Sequence, residues 1–291
     1  MLIKEMQMLE HPLQRFFTAQ RPRPTFEWER YQGREVLVIE HRHCQAVFSR
    51  QGAQLLHFQP RGQKPWLWCA AHWPQVGAIR GGVPVCWPWY GRHPQEGGWP
   101  AHGWARLLNW TLIDSRCDED AVQMHWQLQL WDWQVDLHAQ LGRGMDLRLS
   151  TRHQDSEPCH FSHALHAYWQ ISDVAEVALQ GLDGAQGYDQ LRRQACRQRG
   201  ELRVLGGCER LFEHEGAVQL QDPAWHRRLN IDTGSSAGTA VWHPGSRPLL
   251  GVGDRESTGF VRVEAVCGSG AGLGLHPGQQ ASLSLQVQLA L

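Results

Sequence analysis

Along most of the 291-residue chain, apolar and polar positions alternate with a period of two. "REVLVIEH" (34–41) and "AQLLHFQP" (53–60) read as strands separated by turn residues. The clearest run lies between 122 and 151. Val122, Met124, Trp126, Leu128 and Leu130 alternate with Gln123, His125, Gln127 and Gln129. Val135, Leu137, Ala139 and Leu141 repeat the pattern, and Met145, Leu147 and Leu149 repeat it again. "LGRGM" (141–145) supplies a hairpin turn between the last two. This pattern predicts an antiparallel meander with one dry and one wet face. At the C-terminus, "ASLSLQVQLAL" buries Leu283, Leu285, Val287 and Leu289 in the same way. Helical spacing is confined to the start, where Leu2, Met6, Leu9, Leu13 and Phe16 recur around Pro12. Residues 1–24 therefore read as an N-terminal extension with room for a short helix, ended by Pro22 and Pro24. No internal repeat, linker or low-complexity segment interrupts the rest. The expectation is one all-β domain over 1–291: a large antiparallel β-sandwich with few short helices.

Composition narrows the partners. A net charge of -1 argues against nucleic acid or a membrane surface, both of which favour a basic excess. Any electropositive site must then be local. Lysine occurs only at Lys4 and Lys64, so the positive charge is almost all arginine, whose planar fork suits phosphate or carboxylate. The eight cysteines contain no C-x-x-C pair, which excludes a zinc ribbon or a thioredoxin-type motif. The first residues lack a secretory pattern, and no apolar run is long enough for a bilayer. A cytoplasmic protein with reduced thiols is expected.

Three stretches carry candidate chemistry. In "HALHAYWQISD" (163–173), alternation puts Leu165, Ala167, Trp169 and Ile171 on one face and His166, Tyr168 and Gln170 on the other. On spacing alone, a solvent-facing His166 is the more economical reading. The alternative is a general acid, because an imidazole titrating near neutrality suits proton transfer. His160, His163 and His166 do not make a metal site, since His163 points away from the other two on a strand. In "FVRVEAVCG" (260–268), Arg262, Glu264 and Val266 share the face opposite Val261, Val263 and Ala265. Spacing favours a solvated Arg262–Glu264 pair of little worth; the alternative makes Glu264 a general base. The third stretch, "AIRGGVPVCWPWYGRHPQEGGWPAHGWAR" (78–106), is rich in glycine, proline and tryptophan and carries Arg80, His102 and Arg106 near its ends. A structural loop would account for it. A loop of this length in a compact domain is more often functional, and two arginines could hold an anion through charge-assisted bonds. Trp87, Trp89 and Trp104 could wall such a site or lie in the core.

These stretches together resemble a known family. "IRGGVPVCWPWYG", "HGWAR" and "NW", preceded by "GAQLLHFQP", are similar to segments of the glucose-6-phosphate 1-epimerases (hexose-6-phosphate mutarotases) of the aldose 1-epimerase superfamily. "ALHAYWQISDV" with "VALQGLDG", then "VWHP", "VRVEAVCG" and "LHPGQQASLSLQV", follow in the family's order from about Gln51 to the end. The resemblance implies a galactose mutarotase-like supersandwich and an isomerase that interconverts the α and β anomers of an aldohexose 6-phosphate. It implies His166 as general acid and Glu264 as general base, facing one another across a pocket one hexose wide. Arg80, His102 and Arg106 would bind substrate. Glu209, in "CERLFEHEG", stands where the family has an aspartate; Ala101 stands where some members have glutamine; Asp173 is a further polar residue near the histidine strand. The reaction needs no cofactor and no metal. The implied partner is a small sugar phosphate, and a monomer suffices. Two other readings stay open: an epimerase of unphosphorylated aldoses, and a non-catalytic carbohydrate-binding module.

Overall fold

A computed structural model describes residues 11–18, 25–234, 238–268 and 272–290. Two eight-stranded sheets, with every ladder antiparallel, hold most of the strands among the described residues. The first runs, neighbour to neighbour, Gln194–Arg197, Gln186–Asp189, Gly207–Glu213, Gly238–Pro244, Phe260–Cys267, His163–Leu165 and Val85–Cys86, and Tyr168–Gln170 also pairs with Phe260–Cys267. The second runs Ala178–Gln180, Ala217–Asp222, Arg227–Asp232, Gln280–Leu289, Met145–His153, Trp133–Leu141, Val122–Leu130 and Thr111–Cys117. The expected meander is its last part, and Gly142 N–H closes the hairpin on the Gly144 carbonyl.

The apolar faces of the two sheets share one core. Val85, Leu165, Val241, Val261, Val263 and Ala265 come from the first sheet; Met124, Trp126, Val135, Leu147 and Leu285 come from the second. Burial of this apolar area is the main favourable term in folding. Leu283, Leu285 and Val287 are buried as expected, but Leu289 is exposed, because it ends its strand beyond the core.

A third sheet of four strands, Phe26–Tyr31, Arg34–Glu40, Cys44–Ser49 and Gln54–Pro60, sits beside them. Here Val36 to Ile39 are all buried, so the run carries no wet face. Leu37 and Ile39 join the main core, while Val36 and Val38 pack under Leu13, Phe16, Trp73 and Ile79. Leu13 and Phe16 belong to the N-terminal series expected to form a helix. In the described part, that series makes one 3-10 turn, Gln14–Phe17; Leu2, Met6, Leu9, Pro22 and Pro24 lie outside the described residues. Among the described residues no helix is long and apolar enough to cross a membrane.

Candidate active site

The face of the first sheet turned away from the core carries the chemistry. Along Phe260–Cys267, alternation sends Val261, Val263 and Ala265 to the core and Arg262, Glu264 and Val266 outward. The expected continuous strand through His166 is instead two short ones, His163–Leu165 and Tyr168–Gln170, each paired with Phe260–Cys267. The break comes at His166, whose backbone N–H donates to the Pro84 carbonyl (3.0 Å) and not to the ladder. The register is the same on both sides of the break and sets His166 opposite Glu264. Directly opposed side chains on one face touch, and His166 Nδ1 lies 3.3 Å from Glu264 Oε2. The pair thus meets side by side, with no hexose-wide gap between the two groups.

The segment 78–106 closes over this pair, and its glycines are what let it do so. Gly82 has φ +59°, and a Cβ there would sit 2.1 Å from the Leu55 carbonyl oxygen. Its own carbonyl accepts from Tyr168 N–H, which ties the segment to the histidine strand. Gly103 (φ +74°) lies as close to the Trp87 carbonyl. Tyr90 is anchored by its N–H to Ser162 Oγ (2.8 Å) and donates its hydroxyl to Glu264 Oε2 (3.1 Å). Gly91 N–H donates to His102 Nδ1 (3.2 Å), which holds the His102 ring edge-on against His166, centroids 4.8 Å apart. Cys86 Sγ lies 3.3 Å from His166 Nδ1.

Burial and charge set the proton affinities. Both members of the pair are buried, Glu264 completely. Burial first, then the charges of Arg262, His102, Arg106 and Arg80, hold the His166 imidazole well below its ordinary range. Burial, then Arg106 and Arg262, push His102 down to about 3. Burial raises the Glu264 carboxyl above its usual value, against Arg262 and the Tyr90 hydrogen bond, which lower it. In the free protein, burial and the neighbouring cations thus favour the neutral form of this imidazole.

Of the other expected site residues, Arg80 and Arg106 are half-buried and near enough for their charge to bear on His166. Among the described residues the Arg80 guanidinium has no hydrogen-bond partner. Arg106 gives one N–H to the Ala101 carbonyl, and its Nε is buried without a partner. Both therefore keep donors to offer an anion. Glu209 is in register with Trp242, which is in register with Arg262, so it shares the row next to Glu264; its carboxylate lies 3.8 Å from Arg247 Nη2. Asp173 stands apart. It occupies the turn after Tyr168–Gln170, where its carboxylate accepts from Ala175 N–H. Trp87 is fully buried in the core and walls nothing, whereas Trp89 stacks on the exposed Trp99 (5.2 Å) and meets Trp104 edge-on (6.3 Å) at the rim.

Sequence reasoning missed Tyr90, Cys86 and Arg262 as site groups. Arg262 had a signal, its place two residues before Glu264 on the same face, but the pair is buried and not solvated. Cys86 Sγ and ring nitrogens of His102 and His166 lie within 4.8 Å of one another, a donor set suited to a soft metal ion. Burial pushes the Cys86 thiol up to about 12, and three guanidinium groups bear on the same place, so the electrostatics oppose a cation. His160, His163 and His166 do not converge: His163 is buried against Phe161 and His160 is exposed.

This geometry can exchange protons with two neighbouring oxygens of a bound polyol under a cationic rim. Comparison with known proteins agrees in fold and family. Residues 35–288 match the aldose 1-epimerase family. The chain is 31% identical over 252 residues, 81% of its length and 84% of the relative's, to a protein of Escherichia coli (strain K12) described as "putative glucose-6-phosphate 1-epimerase". It is 29% identical over 249 residues (80% and 83%) to a Salmonella typhimurium protein of the same description. The fold matches a solved "putative mutarotase" of Salmonella typhimurium with TM-score 0.88 at 24% identity, covering 96% of this chain and 99% of that one. It also matches a "galactose mutarotase-like protein" of Clostridium acetobutylicum with TM-score 0.72 at 12% identity, covering 91% and 98%. The family match and these relatives define an isomerase that acts on the anomeric centre of a sugar. The chain belongs to the aldose 1-epimerase family.

Proposed function

We propose that this protein interconverts the α and β anomers of an aldohexose 6-phosphate, with glucose 6-phosphate as the leading substrate. The observation that carries the reading is the 3.3 Å contact between His166 and Glu264 with Arg80 and Arg106 beside it. In a pyranose, the anomeric hydroxyl and the ring oxygen are bonded to the same carbon. An acid and a base that serve both oxygens at once must therefore stand next to each other.

Glu264 takes the proton of the anomeric hydroxyl while His166 gives one to the ring oxygen. The bond between C1 and the ring oxygen breaks and leaves the open-chain aldehyde. Rotation about C1–C2 presents the other carbonyl face. The former ring oxygen, now a hydroxyl, adds to that face and returns its proton to His166, while Glu264 returns the other to O1. Each well-placed transfer contributes about 10²–10⁴ in rate.

His166 needs a proton that burial, and then the nearby cations, withhold from it. A phosphate dianion held by Arg80 and Arg106 offsets their charge and raises the imidazole's proton affinity, so the substrate's own charge completes the acid. His102, edge-on to His166, lines the same place. Glu209 is the nearest further carboxylate on the row and would meet a sugar hydroxyl at its edge.

Exchange NMR on glucose 6-phosphate anomers tests the reading, with glucose as the comparison substrate. The wild type accelerates exchange of the phosphorylated sugar, His166→Ala loses the acceleration, and Arg80→Ala loses preference for glucose 6-phosphate over glucose. Retention of full activity by His166→Ala refutes the mechanism. An unchanged preference in Arg80→Ala refutes the phosphate site.

A further inference from the structure

We infer that Arg262 is a positioning residue of this site: a cation clamped between two aromatic rings that keeps the Glu264 carboxylate ionised and aims it. The inference deepens the proton-transfer reading above and rests on it. A carboxylate removed from water gains a proton unless a positive group stands by it, and a protonated Glu264 is no base. Five titratable groups of other elements face this carboxylate or the pair it forms; one is His102, edge-on to His166 and pushed down to about 3 by burial. Tyr90 and Cys86 are held neutral, the thiol up to about 12 and the phenol well above its usual range. His166 is held neutral by burial and its cationic surroundings. Glu209 is negative and acts against ionisation. The positive group in contact with the carboxylate is Arg262, whose Nε lies 3.1 Å from Glu264 Oε1.

The guanidinium is fixed from both sides. Trp242 and Tyr168 are its cross-strand partners, one on each neighbouring strand. Its Cζ lies 3.8 Å from the Trp242 ring centroid and 5.3 Å from that of Tyr168. A flat, weakly hydrated guanidinium suits such a slot, and a lysine ammonium does not. The contact with Glu264 is close but not aligned as a hydrogen bond, and neither Arg262 Nε nor Glu264 Oε1 has another partner. Arg262 thus supplies charge without capping the oxygen, which remains free to receive a proton.

Two measurements on Arg262→Met and Arg262→Lys test this. The first is direct titration of the Glu264 carboxyl by infrared difference spectroscopy, with Glu264→Gln to assign the band. Loss of the charge raises the Glu264 pKa by about 1–3 units in Arg262→Met, and Arg262→Lys gives a smaller rise. The second is kcat/KM against pH for anomer exchange. The limb that belongs to Glu264 follows the carboxyl to higher pH, with kcat affected more than KM. An unmoved Glu264 titration in a folded Arg262→Met protein overturns the inference. A raised carboxyl pKa that no limb of the profile follows leaves the charge contact standing but overturns Glu264 as the base, and with it the role of Arg262 in the reaction.

Discussion

Acidification from pH 7.5 to 5.5 should destabilise this protein through its buried histidines. Burial pushes His11 to about 3, His102 to about 3 and His163 to about 4, and holds His57 well below its ordinary range. Each has a folded-state pKa below its unfolded value near 6.5, so the unfolded chain binds protons that the folded one refuses. The stability these groups permit is complete above about pH 6.5 and is lost as pH falls below it. At pH 5.5 an unfolded histidine is roughly nine-tenths protonated, and each histidine held neutral costs about 1.4 kcal/mol. His11, His102 and His163 together cost about 4 kcal/mol, a large part of a typical stability of about 5–15 kcal/mol. Glu264, raised in the fold, works in the opposite sense, but it is one group and acts nearer its own range. With an unfolding entropy of about 2.1 cal/mol/K per residue, the loss lowers Tm by roughly 6 °C. Thermal or urea unfolding followed from pH 7.5 to 5.5 measures it. His163→Phe is the decisive variant, because neither ring nitrogen of His163 has a partner to lose. It should remove about 1.4 kcal/mol of the pH dependence. A flat stability profile, or a His163→Phe slope equal to wild type, would refute the argument that these imidazoles stay neutral in the fold.

Four other outcomes are expected. Glu264→Gln should lower kcat by about 10²–10⁴ while KM moves little, read by anomer-exchange NMR, since it removes the base and keeps the shape. The same change strands Arg262 as an uncompensated buried cation and should cost about 3–5 kcal/mol in a urea titration. The limb of the rate profile that belongs to His166 should lie at higher pH in kcat, where the phosphate is bound, than in kcat/KM; coincident limbs would mean that substrate charge does not reach the imidazole. Gly82→Ala should destabilise by roughly 3 kcal/mol or more, seen as lost Tm or lost soluble protein, because its Cβ would overlap the Leu55 carbonyl in a left-handed backbone.

Alternation was enough to read the meander and the C-terminal strand of the second sheet. Strands 122 to 151 bury one face and wet the other, so each residue's side follows from its parity. Parity also placed His166 opposite to Leu165 and Ala167, and Glu264 opposite to Val263 and Ala265. It could not say that these two outer faces are one face, because that depends on the register between strands a hundred residues apart. Nor could it say that the face is dry. Arg262 and Glu264 look solvated in a strand pattern because burial comes from elsewhere: Tyr90 and the rest of 78–106 cover them, and Trp242 arrives from another strand. Val36 to Ile39 are hidden for the same kind of reason, since the turn at Leu13 and Phe16 covers what would be their wet side. The resemblance to the epimerases put His166 and Glu264 together before the structure did. It also pointed to Asp173, whose carboxylate caps its own turn.

The electrostatics of the proposed site suit a dianion although the chain's net charge is -1. Three arginines act on one buried imidazole, and their field is strong there because little water screens it. Such a cluster is costly when only neutral groups face it. Arg262 is compensated by Glu264 and by two ring faces, and its guanidinium accordingly stays charged: burial favours losing the proton, but Glu264 and the tyrosines outweigh it. Arg80 and Arg106 keep donors unspent and have no carboxylate in contact among the described residues. The imbalance is therefore local to the rim, and it is the part that a sugar phosphate would correct. On the proposed reading the acid lacks its proton and the rim its anion, and one ligand charge would serve both. An unphosphorylated sugar could fill the same space but would leave His166 neutral, so on this reading discrimination between the two substrates appears in kcat as well as in binding.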